Sequence, residues 1–137
     1  MVDRVDLLAR MPLFAGLASD ELARITALTE DVEVAAGTVL THEGRYEGWF
    51  YLVVAGTVEI ARGGAEVDTV GAGGFVGEIS LLDDGPRTAT ATTLTPCELL
   101  RVSNSQFDSL LETSPAIRQR LQEAMEARLG RMDAEAP

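Results

Sequence analysis

Apolar positions change period twice along this chain, from helical to alternating and back to helical. Near the start, Leu7, Leu8, Met11, Leu13 and Phe14 cluster around Pro12, whose fixed φ and missing N–H must break or restart any helix there. Ser19 is expected to cap the next helix, with Asp20 and Glu21 in a first turn where they complement the dipole. Leu22, Ile25 and Leu28 recur there at helical spacing. From Asp31 the period becomes two. Val32 and Val34 alternate with polar residues, Gly37 ends that strand, and Val39 and Leu40 begin another. Residues 49–54 form an unbroken β-favouring run, expected to be a central strand. Gly56 marks a turn, Val58 and Ile60 alternate after it, and residues 62–65 read as a hairpin turn into Val67 and Val70. A threonine-rich strand over 88–95 and a strand over 97–102 are expected to pair antiparallel across Pro96. Many short strands with glycine-rich turns indicate a closed or sandwiched β structure.

The helical period then returns. Ser103 with Gln106 makes a capping box, and Phe107, Leu110 and Leu111 form the buried face behind it. Ser114 and Pro115 are an N-cap followed by proline at the first helical position. The last helix carries Ile117, Leu121, Met125 and Leu129 at intervals of four, and Ala124 and Met132 extend the stripe. Such a stripe must be covered by the β domain, by a twin helix in a dimer, or by another protein.

Composition narrows the function classes. A length of 137 residues fits one domain, and a hydrophobic fraction of 46% excludes wholesale disorder. With 22 acids against 11 basic residues the formal charge is −11. That balance speaks against a nucleic-acid partner and against docking on anionic lipid. The longest apolar run, 49–55, falls far short of the ~20 residues that span a bilayer, so no membrane insertion is expected. The first residues lack a basic stretch followed by an apolar one, so no secretory signal is expected either. One cysteine, Cys97, excludes an internal disulfide and fits a cytoplasmic setting. Within residues 97–102 it reads as a small buried strand residue. The one histidine, His42, cannot build a Cys/His zinc site and reads as a solvated loop residue. There is no lysine and no G-x-S-x-G, which removes the phosphate-loop lysine, the Schiff base and the serine elbow.

The chemistry concentrates in residues 71–90. Gly73, Gly74 and Gly77 let the backbone approach a ligand closely. Residues 78–82 suffice for one short helical turn, whose N–H groups favour an anion. Asp83, Asp84, Gly85 and Pro86 are turn residues, and Arg87 with Thr88 adds a fork of donors and a hydroxyl. Arginine, hydroxyl and helix terminus together make a phosphate cradle. Glu78 fits such a cradle only with a task of its own, such as accepting from a sugar hydroxyl. The parts together point to a nucleotide phosphate with its ribose.

This segment resembles the phosphate-binding cassette of cyclic nucleotide-binding domains, approximately F-x-G-E-[LI]-[AS] followed by P-R-[AST]-A. Here the cassette reads Phe75, Val76, Gly77, Glu78, Ile79, Ser80, then Pro86, Arg87, Thr88, Ala89, with the family's usual spacing between the halves. Pro12, Leu13, Phe14, Leu17, Glu21 and Leu22 are similar to the family's N-terminal helical segment. Gly37, Gly44, Tyr51, Gly56 and Val58 match its early strands, and residues 103–111 match its second helix. The resemblance implies a mainly β fold with flanking α: an eight-stranded β-roll, or cupin-like jelly roll, with N-terminal helices and two C-terminal helices. Residues 1–30 would be the N-terminal helical part, 31–102 the roll with its cassette at 75–90, and 103–133 the C-terminal helices.

The resemblance also implies roles. Glu78 would accept from the ribose 2′-hydroxyl, and Arg87 would pair with the cyclic phosphate. Gly77 and the N–H groups of Ile79, Ser80 and Thr88, with the Thr88 hydroxyl, would complete the cradle. Ile60 and Val67 would bracket the base. The last helix would be the lid, with base contacts from residues 128–133, Arg128 and Met132 among them. The Thr-Ser pair that reads adenine in the transcription-activator branch is replaced by Met132 and Asp133. That replacement, and a Thr88 that would accommodate a guanine ring in the syn form, make cGMP the alternative ligand, while the alanine- and arginine-rich composition without lysine favours cAMP as the expected one.

The chain ends at Pro137 without a helix-turn-helix, kinase, channel or cyclase segment, so it is expected to be a stand-alone module. It would be a non-enzymatic sensor without cofactor, signalling through its lid helix to an effector protein or a homodimer. The alternative is a degenerate domain that no longer binds nucleotide and serves protein interaction. A metal-dependent β-barrel enzyme is a distant third, since one histidine cannot build its site.

Overall fold

The computed structural model describes residues 4–44, 49–77 and 89–135, with backbone only at 113, 124, 125 and 128–135. Helices α1 (Arg4–Ala9) and α2 (Ser19–Leu28) flank a 3-10 turn at Pro12–Phe14. Eight strands follow: β1 (Glu30–Val34), β2 (Val39–Thr41), β3 (Trp49–Ala55), β4 (Val58–Arg62), β5 (Ala65–Val70), β6 (Phe75–Val76), β7 (Thr90–Thr93) and β8 (Cys97–Ser103). Helices α3 (Asn104–Thr113) and α4 (Pro115–Glu135) close the described chain. The strands form two antiparallel sheets in the orders β1-β8-β3-β6 and β2-β7-β4-β5. The eight-stranded roll with flanking helices is thus the fold of this protein.

The unbroken apolar run of β3 has a structural cause, because this strand is buried on both faces. Phe50 and Leu52 point to the helices, where they join Phe14, Ile25, Leu100, Phe107, Ile117 and Leu121 in one core. Tyr51 and Val53 point into the roll, with Val58, Ile60, Val76, Ala91 and Leu99. Each fully buried side chain of this size contributes roughly 1.5–3 kcal/mol. Strand β8 does the same with Leu100 and Val102 on one side and Cys97 and Leu99 on the other. Cys97 is a buried free thiol, as its strand context led one to expect.

Of the expected capping box at α3, the Ser103 N-cap half forms. The Ser103 hydroxyl accepts from the Gln106 amide at 3.3 Å and donates to its side-chain oxygen at 2.9 Å. Phe107 and Leu111 are buried and Leu110 is half-buried, as the helical spacing requires. Helix α4 starts at Pro115, and the Arg118 amide donates to the Ser114 carbonyl.

Three expectations need correction, and one strand is added. Residues 88–95 and 97–102 do not pair with each other: β7 lies in the second sheet beside β2 and β4, whereas β8 lies in the first between β1 and β3. The connection through Leu94, Thr95 and Pro96 carries the chain from one sheet to the other, and hydrogen bonds to Thr57 hold it there. Ser19 does not cap α2. It is the first helical residue, and Ala18 stands at the cap with no side-chain acceptor to offer. Residues 75–76 form a strand that alternation could not announce, since two residues carry no period; Tyr51 and Leu52 pair with them. His42 follows β2 directly and is half-buried rather than solvated.

Candidate functional site

The cassette's two ends are anchored in different sheets. On the incoming side, β6 pairs with β3 through Leu52↔Phe75 and Tyr51↔Val76. Gly77 follows with φ +100°, a left-handed conformation that glycine adopts without strain. Phe75 stacks on Phe50 at 5.8 Å between centroids, and Phe50 stacks on Phe107 at 4.5 Å. The first cassette residue is thereby packed on the helical core.

On the outgoing side the described chain resumes at Ala89, and β7 pairs with β4 through Ala61↔Thr90 and Ile60↔Ala91. The Thr41 hydroxyl donates to the Ala89 carbonyl at 3.2 Å and accepts from the Ala91 amide at 3.1 Å. The Glu43 amide donates to the Thr90 hydroxyl at 3.0 Å, and the Glu43 carboxylate accepts from the Gly63 amide at 2.9 Å. Nothing in the local sequence around Thr41, Glu43 and Thr90 announces these bonds, because each joins segments far apart in the chain.

Ile60 and Val67 belong to one buried cluster. Both are buried, and both face the interior of the roll. Ile60 pairs with Asp68 and Ala61 with Glu66, so Val67 is the extra residue of a bulge in β5. Helix α4 leaves the helical layer and packs against β5 and the 3-10 turn. Arg128 and Met132 lie on this helix, and their side chains are outside the described residues. Glu78, Ile79, Ser80, Arg87 and Thr88 also lie outside them, so their expected contacts are not part of this geometry.

One ion pair lies beside the described edge of the site. Tyr51↔Val76 pairing puts Trp49 at the same end of the first sheet as Gly77. There the Arg101 guanidinium stacks 3.9 Å over the Trp49 ring and meets the Glu30 carboxylate at 3.0 Å. Among the described residues no group of three or more His, Cys, Asp or Glu is gathered in a metal-holding arrangement, and no helix is long and apolar enough to cross a membrane.

The family model of the cyclic nucleotide-binding domain matches residues 31–114, which spans the roll and α3. This chain belongs to the cyclic nucleotide-binding domain family. It is 28% identical over 131 residues to a CRP-like cAMP-activated global transcriptional regulator of Mycobacterium tuberculosis, covering 92% of this chain and 58% of that protein. The catabolite activator protein of Thermus thermophilus superposes with a TM-score of 0.75 at 31% identity, over 90% of this chain and 61% of the other. The regulatory domain of Toxoplasma gondii PKA, crystallised with cAMP, gives a TM-score of 0.70 at 28% identity, over 77% of this chain and 42% of the other. These relatives are regulatory proteins. This cyclic nucleotide-binding domain spans about three-fifths of the length of the transcriptional regulator it matches. The expectation of no nucleic-acid partner gains no support from these relatives, since one of them is a transcriptional regulator. The charge of −11 describes this stretch of sequence alone.

Proposed function

We propose that residues 1–137 form a single non-enzymatic sensor domain that binds a cyclic nucleotide, cAMP first among them, and signals through α4. The observation that carries this reading is the anchoring of the cassette's ends. β6 delivers it from one sheet, β7 receives it in the other beside Ile60, and α4 packs on β5, the strand that holds Val67. In this reading Glu78 accepts from the ribose 2′-hydroxyl, and Arg87 forms a bidentate pair with the cyclic phosphate. Gly77 and the amides of Ile79, Ser80 and Thr88 complete the cradle. Ile60 and Val67 supply apolar walls for the base, and Arg128 and Met132 approach it from α4. Bound nucleotide then favours one position of α4 over another, because it offers that helix a new surface. The receiver is an effector protein or a second copy of the domain. A cytoplasmic setting belongs to the same reading, with Cys97 buried as a free thiol.

Thermal unfolding with cAMP, cGMP and 5′-AMP tests the proposal. A cyclic nucleotide at 100 times its Kd stabilises the domain by about 2.7 kcal/mol, and 5′-AMP does so far less. No shift with any of the three assigns the domain to the degenerate, interaction-only reading instead.

A further inference from the structure

We infer that Thr41 is a positioning residue that sets where the cassette joins β7, and thereby how Arg87 and Thr88 are presented to a phosphate. The inference rests on the cassette reading above. Its basis is a break in the β2–β7 ladder. Val39 pairs with Thr92 but Thr41 pairs with Ala91, so Leu40 is an extra residue on β2. At a bulge the backbone ladder is interrupted and the strand bends. The Thr41 side chain, only 4% exposed, takes over the missing pairing. One hydroxyl donates to the Ala89 carbonyl and accepts from the Ala91 amide, which fixes both ends of a three-residue stretch.

The same stretch is held from its other neighbours as well. β4 pairs with Thr90 and Ala91. The Glu43 amide binds the Thr90 hydroxyl, and the Glu43 carboxylate ties that junction to the β4–β5 hairpin at Gly63. Two strands and one loop therefore converge on Ala89–Ala91, two residues beyond Arg87 in the chain. A core threonine is unnecessary for packing, because valine has nearly the same shape. What the hydroxyl adds is direction. A planar guanidinium that must present two parallel N–H groups depends on the direction of its backbone, and a preorganised site binds more tightly than one ordered by its ligand.

Calorimetric titration of the whole chain with cAMP tests this on the native protein, Thr41→Val, Thr41→Ser and Arg87→Lys. Thr41→Val weakens binding about five- to tenfold, because the Ala89–Ala91 junction must then be ordered at the moment of binding. Thr41→Ser, which keeps the hydroxyl, restores affinity to within about twofold of the native protein. In the Arg87→Lys background the effect of Thr41→Val falls below about twofold, because a flexible ammonium stem tolerates a shifted backbone. Should Thr41→Val fail to fold, Thr90→Val removes the acceptor of the Glu43 amide at a half-buried position and gives the same readout. Unchanged affinity with a lowered unfolding temperature, or an equal loss in both backgrounds, overturns the positioning role and leaves the cassette reading intact. A native chain that binds no cyclic nucleotide overturns the cassette reading itself, and this inference with it.

Discussion

Arg120 of α4 donates from Nη1 to the Leu13 carbonyl at 2.7 Å and to the Pro12 carbonyl at 3.4 Å. These bonds join two segments that are 107 residues apart in sequence. They tie the C-terminal helix to the 3-10 turn, whose Pro12 and Leu13 line a groove with Phe75 and Arg120. The C-terminal helix, the N-terminal turn and the first cassette residue thus meet at one place.

Replacing Arg120 by alanine removes a partly buried charged donor. The domain should lose about 1–2 kcal/mol in urea unfolding. Amide exchange should quicken in residues 115–123, while the amides of β3 and β8 keep their protection. Equal acceleration throughout would mean that α4 is held by Ile117 and Leu121 alone.

Gly56 turns the chain between β3 and β4 with φ +102°. A Cβ placed there would lie 2.5 Å from Cys97 Sγ and 2.6 Å from the Pro96 carbonyl oxygen. Gly56→Ala therefore combines backbone strain with a collision against backbone, and should cost about 2–4 kcal/mol. Gly63, in the β4–β5 hairpin, has open space where its Cβ would go. Gly63→Ala should cost roughly 1 kcal/mol, from strain alone. Comparing the two unfolding midpoints separates collision from strain.

Glu33 of β1 and Glu98 of β8 are registered partners, and both are exposed. Like charges opposite each other on adjacent strands repel. Glu98→Arg should stabilise the domain by about 0.2–1 kcal/mol at low salt. The gain should shrink as ionic strength rises and the Debye length shortens. Unfolding midpoints at two salt concentrations check both parts.

Glu78 can be tested by its ligand preference. If its carboxylate accepts from the ribose 2′-hydroxyl, Glu78→Ala should lose about 1.5–3 kcal/mol of cAMP affinity and little for 2′-deoxy-cAMP. Equal losses for both nucleotides in calorimetry would give Glu78 a structural role only.

Local order was legible in the sequence where its cause is local. The capping pair Ser103 and Gln106, the break at Pro12, the apolar run of β3 and the alternation of Val58 and Ile60 all formed as their residue types demand. The residues from Phe75 to Ala89 carried the resemblance to the family's cassette, because that motif is contiguous in the chain. Partnership between strands was another matter. A period of two says which side chains share a face, but not which sheet the strand enters, so β7 and β8 read as a pair although Leu94 to Pro96 carries the chain across the roll. The two residues of β6 are a strand only because β3 offers them an edge. Thr41 is a clamp only because Leu40 bulges and turns its hydroxyl onto Ala89 and Ala91. Propensity, capping and periodicity act within a few residues and are written in the sequence. Pairing, register and the aim of a side chain depend on contacts between distant segments, and only the folded chain decides them.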